Sequence, residues 1–114
     1  MIRSKRTTGT DYEKGSVNVY EDLGFPDADA MLVKAQLVKS IAEILVDRGL
    51  TQVKAAELLG VTQPKLSQLL RGQFRGFSER RLMDFLTRLG RDVQIVVRDS
   101  GRRRGTGSVS VIFG

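Results

Sequence analysis

Residues 50–72, LTQVKAAELLGVTQPKLSQLLRG, decide the fold of this chain. Thr51 offers a hydroxyl acceptor at the head of one short helix, Gln52 to Leu59, and Thr62 does the same for a second, Gln63 to Arg71. Gly60 lies between them, where the chain must turn. An apolar residue precedes each hydroxyl (Leu50, Val61) and another sits at the fourth helical position (Ala55, Leu66). That is the hydrophobic-staple arrangement, although neither helix has the Glu or Gln of a full capping box. Two short helices joined in this way predict a helix-turn-helix, whose second helix enters the DNA major groove.

The faces of the second helix follow from its period. Leu66, Leu69 and Leu70 share one side and must point at the core, while Pro64, Ser67, Gln68 and Arg71 lie opposite with Lys65 on a flank. Gln63 lies nearer the buried side, but as the first helical residue it projects from the end that meets base edges. Gln pairs with adenine through two hydrogen bonds and Lys donates to guanine, so Gln63, Lys65 and Gln68 are the candidate base readers. Thr62, Gln52 and the exposed helix starts suit phosphate, and Arg71, Arg75, Arg80 and Arg81 flank the motif as further cations. Taken singly, each of these residues is an ordinary solvated side chain. The functional case rests on caps, turn and apolar triad falling in one register.

Working outward, Asp27 follows Pro26 and announces a helix from about Ala28 to Arg48, with acids in its first turn. Met31, Ala35, Val38, Ala42 and Leu45 form its apolar stripe, widened by Leu37, Ile41 and Ile44, and Gly49 is placed to end it. After the motif, Phe77-Ser78 repeats the staple-and-cap grammar ahead of a helix from Glu79 to Leu89, with Leu82, Phe85, Leu86 and Leu89 as its buried side and Gly90 as its end. Beyond Gly90 the period changes to two. In DVQIVVR, residues 92–98, Val93, Ile95 and Val97 share a face and read as a strand. SVSVIF, residues 108–113, alternates likewise through Val109, Val111 and Phe113. A lone hairpin is marginal in water, so the first strand is expected to pair across a dimer.

The expected organisation is a disordered N-terminal tail over residues 1–16, a domain over 17–98 and a flexible basic tail over 99–114. VNVY, residues 17–20, reads as a short extended piece that docks elsewhere. The fold class is mainly α: a compact four- to five-helix domain followed by a C-terminal β-strand. There are no internal repeats.

Composition bounds the rest. At 114 residues there is room for one domain with a modest core. The net charge is +6, which favours an anionic partner without identifying it. The charge is unevenly spread. Residues 11–33 hold six acids against one base, whereas residue 34 onward holds fifteen bases against seven acids. The chain has no Cys and no His, which removes disulfides, thiolate zinc sites, cysteine nucleophiles and imidazole chemistry. No metal or cofactor is expected. The N-terminus lacks the apolar stretch of a signal peptide, and no apolar run is long enough to cross a bilayer. A soluble cytoplasmic protein with no membrane partner is expected.

The matching residues Thr51-Gln52, Ala56, Leu59-Gly60-Val61, Thr62-Gln63, Leu66-Ser67 and Arg71-Gly72 resemble the Cro/phage-repressor class of helix-turn-helix proteins, the XRE family. VNVYEDLGFPDADAMLVKA, GFSERRLMDFLTRLG and GRDVQIVVR extend the likeness over residues 17–98 to a compact subgroup that includes HigA-type antitoxins. The resemblance implies a homodimer on an inverted-repeat operator in double-stranded DNA, repressing its own promoter. It further implies a small basic partner, a RelE-like ribonuclease toxin of a HigBA-type toxin–antitoxin pair. Carried over by position, Gln52 contacts phosphate, while Thr62, Gln63, Lys65 and Gln68 face DNA. Pro64 departs from the pattern, since a polar reader often stands there; in the first helical turn it is tolerated. The acidic segment upstream then suits the basic surface of a ribonuclease, or else only the helix start.

Other functions fit less well. A stand-alone XRE-type regulator would share the DNA chemistry and lack the toxin. A basic interaction module would bind RNA or anionic protein and show little preference between duplexes. For an enzyme, the nearest motif is GRRRGTG, residues 101–107, which lacks the Lys-Ser/Thr ending of a phosphate loop and its strand-to-helix context. Asp27 and Asp29 have no polar catalytic neighbour in sequence. No enzymatic activity is expected.

Overall fold

The computed structural model describes residues 24, 27–101 and 105–114. The expectations for residues 1–16 and 17–20, and for the arginine run 102–104, lie outside the described residues. Four helices follow in order: α1 (Ala28–Asp47), α2 (Gln52–Leu59), α3 (Gln63–Leu70) and α4 (Glu79–Arg88). Helices α1 and α4 pack most extensively against each other. The α2–α3 pair sits across them, with α3 touching α1 and α2 touching α4.

The long helix α1 buries Met31, Leu37, Val38, Ile41, Ile44 and Leu45 as its period predicts. Ala35 and Ala42, also on the expected stripe, are only half-buried, whereas Val33 is buried. The covered face is wider than one stripe because two other helices, α3 and α4, press on it. The helix ends where Gly49 was placed. Gly49 N–H donates to Val46 O at 3.0 Å and Leu50 N–H to Leu45 O at 3.0 Å, the paired bonds of a Schellman end. Its last residue is Asp47, with Arg48 as the cap.

The three shorter helices begin as their hydroxyls predict. Thr51 Oγ1 accepts from Lys54 N–H at 3.2 Å, Thr62 Oγ1 from Lys65 N–H at 3.3 Å and Ser78 Oγ from Arg81 N–H at 3.0 Å. Helices α3 and α4 stop at Leu70 and Arg88, so Arg71 and Leu89 serve as caps. One-residue differences of this kind lie within the ordinary fraying of helix ends.

The core joins all four helices. Ile41, Leu66, Leu69 and Leu82 are fully buried, each contributing about 1.5–3 kcal/mol of burial. Leu70, grouped with the core by period, is only half-buried. Phe74 and Phe77 close the core from the segment between α3 and α4, with Phe77 edge-on to Phe85 at 6.2 Å between ring centroids. No periodicity announces Phe74, because it sits in an irregular loop.

The two segments expected as strands form none in the single chain: residues 91–101 and 105–114 carry neither helix nor strand. A strand exists only by pairing, and no ladder is available to either segment here. The arm nonetheless doubles back. Asp99 Oδ1 accepts from Gly101 N–H at 3.0 Å, and a Cβ on Gly107 would lie 3.9 Å from Ser100 Cβ. Val111 rests partly buried against the helical core. Ile95, Val97, Val109, Ile112 and Phe113 remain exposed.

Candidate nucleic-acid interface

The motif is built on one turn. Gly60 takes φ 73°, a left-handed conformation that costs an L-residue with a Cβ about 1–2 kcal/mol. Space is short as well, since a Cβ there would meet Arg88 Nη1 at 3.1 Å. Val61 N–H donates back to Ala56 O at 3.0 Å and so closes the end of α2. Thr62 then starts α3 immediately. Leu66 and Leu69 lock this helix to the body with no residual exposure, which fixes its rotation. Pro64 and Gln68 are exposed on the opposite side as a consequence, with Lys65 exposed on the flank and Gln63 at the helix start. Pro64 falls in the first turn of α3, where its missing N–H removes no helical bond.

The remaining candidates fall into different environments. Gln52 and Thr62 are exposed at the starts of α2 and α3. Thr62 uses its oxygen as the cap, which leaves the hydroxyl hydrogen available to a phosphate. Ser67 is half-buried, and its hydroxyl accepts from Arg71 Nη1 at 3.0 Å. Arg71 is thereby steered along the outer face of α3.

Arg75 departs most from a plain solvated cation. Its Nη1 lies 2.7 Å from Asp27 Oδ2, and its backbone carbonyl accepts from Lys34 Nζ at 3.0 Å. Asp27 occupies the N-cap position of α1 but makes no capping bond. An Asp cap contributes about 1 kcal/mol, so the carboxylate gives up a local role for a contact 48 residues away.

Arg75 also faces an open groove of about 410 Å³ beside α3. Lys65 and Gln68 line it from α3, Gln73 and Arg75 from the loop, Arg81 from α4 and Met31 from α1. The Arg81 guanidinium lies over the Phe77 and Phe85 rings at 5.3 and 5.6 Å, an arrangement that holds a cation in place. Gln73 carries no signal in the sequence, and Asp27 signals there only the start of a helix. Gln73 lies in a loop without periodicity, and the role of Asp27 depends on a long-range contact. Pairing an acidic residue at a helix start with a distant cation has no local signal.

A helix of this kind, anchored by two buried leucines and presenting Gln, Lys and Gln from its first two turns, defines the helix-turn-helix class. A family model described as a helix-turn-helix domain matches residues 19–98. A solved structure described as a candidate XRE family transcriptional regulator is 37% identical, with a TM-score of 0.73, over 78% of this chain and 100% of that one. The chain belongs to the XRE-type helix-turn-helix family. No curated protein matches it. No helix among the described residues is long and apolar enough to cross a membrane.

Proposed function

We propose that this protein is a sequence-specific DNA-binding transcriptional repressor that acts in the cytoplasm as a homodimer on an inverted-repeat operator. The observation that carries this reading is the rotation of α3. Leu66 and Leu69 are wholly buried while Gln63, Lys65 and Gln68 are exposed. Gln63 and Gln68 read adenines, Lys65 reads guanine, and Gln52, Thr62, Ser67, Arg71 and Arg75 hold the backbone. The work is binding and not catalysis. The likeness to a solved structure described as an XRE family transcriptional regulator supports the same reading.

The partner within this reading is a RelE-like ribonuclease toxin, which makes the chain the antitoxin of a HigBA-type pair. Two features support it. The family likeness in sequence spans residues 17–98, and the acidic stretch 11–33 contrasts with the basic remainder. A ribonuclease needs a basic surface, and an acidic arm complements it. The homodimer is supported by Ile95, Val97, Val109 and Phe113, which alternate along the arm and stay exposed in the single chain. An alternating apolar face left in solvent is one that pairing with a second chain would cover.

Operator selection from random duplexes tests the first part. A palindrome with half-sites about 34 Å apart is expected. Gln63→Ala or Gln68→Ala should then weaken operator binding by about 1–3 kcal/mol and relax preference at one base pair. Full preference retained by both variants would discard this face of α3 as the reader. Expression of the neighbouring small open reading frame with and without this chain tests the second part. Growth arrest relieved on co-expression, with a recovered complex, supports the antitoxin. A harmless neighbour leaves a stand-alone repressor.

A further inference from the structure

The pair Asp27–Arg75 joins the residue before α1 to the loop that follows the reading helix. Two of the contacts that Arg75 makes come from the start of α1. Asp27 Oδ2 holds the guanidinium at 2.7 Å and Lys34 Nζ holds the backbone carbonyl at 3.0 Å. Asp27 at the cap position and Lys34 within α1 are seven residues apart, a spacing of about two helical turns. The Arg75 side chain nevertheless remains 55% exposed, and it lines the groove beside Lys65 and Gln68. An ion pair this exposed adds little to stability. What it supplies is orientation, because a long flexible side chain is held at both ends and still faces solvent. The other carboxylate oxygen of Asp27, Oδ1, is buried and has no hydrogen-bond partner among the described residues, so the carboxylate is held through Oδ2.

We infer that Asp27 is a positioning residue for DNA binding, presenting the Arg75 guanidinium from the groove wall to a backbone phosphate. The inference rests on the DNA-binding reading above and assigns a role within it to an acidic residue. At first sight a carboxylate beside a phosphate should oppose binding. The geometry favours the other sign. A guanidinium carries five N–H donors in a rigid fork, so one bonded to a carboxylate through Nη1 can still present others to phosphate. Holding the fork in place beforehand removes the ordering that an unrestrained arginine would undergo on contact.

The test needs no knowledge of the operator, since phosphate contacts are independent of sequence. A labelled 30-bp mixed-sequence duplex is titrated with the full chain between 50 and 200 mM NaCl. Arg75→Gln is expected to lower the magnitude of the log–log salt slope by about 0.9, the release expected from one phosphate. Asp27→Asn should give the same loss, about 3.5-fold across that salt range, although it makes the protein more positive by one unit. The double variant should bind no more weakly than Arg75→Gln alone. Glu43→Gln makes the same charge change at an exposed position elsewhere on α1 and should leave the slope unaltered. Asn and Ser are both good N-cap residues, so Asp27→Ser repeats the measurement if Asp27→Asn fails to fold.

Tighter duplex binding by Asp27→Asn would mean that the carboxylate merely neutralises Arg75, and would overturn the inference. Unchanged binding, or losses that add in the double variant, would overturn it too, while the DNA-binding reading stands. A wild-type chain that binds no duplex would remove both.

Discussion

The helical body buries its apolar faces against one another, whereas the C-terminal arm leaves most of its alternating apolar residues, Val111 excepted, in solvent. Leu66 and Leu69 in α3 have no exposed surface; Val97 in the arm is 91% exposed. The two regions differ in where their backbone hydrogen bonds are satisfied. A helix closes its bonds within the segment, and its ends are finished by residues one to four positions away, such as Thr62 for Lys65 N–H. A strand needs a second strand, and periodicity alone cannot say who supplies it. A clear sequence pattern therefore specifies a helix and its buried face. It specifies only half of a strand.

Three substitutions separate the two regions, from the largest expected effect to the smallest. Leu69→Ala removes a fully buried side chain between α3 and the body and should destabilise the fold by about 2–5 kcal/mol, read from urea unfolding followed by circular dichroism. A loss under 1 kcal/mol would mean that α3 is not anchored as described. Gly60→Ala forces a Cβ into a left-handed backbone beside Arg88 and should destabilise by about 1–2 kcal/mol. It should also lower duplex affinity, because the turn sets the angle of the reading helix. Equal melting temperatures for the variant and the wild type would contradict the turn geometry. Val97→Ser, in the arm, should change monomer stability by no more than about 0.5 kcal/mol. Sedimentation of the same variant should nonetheless register weaker self-association. An unaltered dimer would release the arm from any pairing role.

Much of the interface is legible because it is local. Thr51, Thr62 and Ser78 cap the helices that they precede, and the register of Leu66 and Leu69 turns Gln63, Lys65 and Gln68 outward. The apolar stripe of α1 is legible in its centre, at Leu37, Val38, Ile41, Ile44 and Leu45, and less so at its margins. Ala35 and Ala42 drift out of the core and Val33 enters it. Margins depend on how neighbouring helices lie across the face, which period cannot encode. Phe74 escapes altogether, since a loop residue has no period to betray its burial.

Sequence by itself determined the four helices, the hydroxyl caps of the three shorter ones, the turns and the buried face of the reading helix. All of these depend on interactions within a few residues, where the backbone geometry is known beforehand. Only the tertiary structure decided the fate of Asp27. In the sequence it is an acid suited to cap α1. In the folded chain its carboxylate turns instead to Arg75, while Lys34 holds the same residue by its carbonyl. A local cap and a distant cation compete for one carboxylate. The outcome depends on how closely the packing of α3 against α1 brings the two charges together, and no pattern within either segment contains that distance.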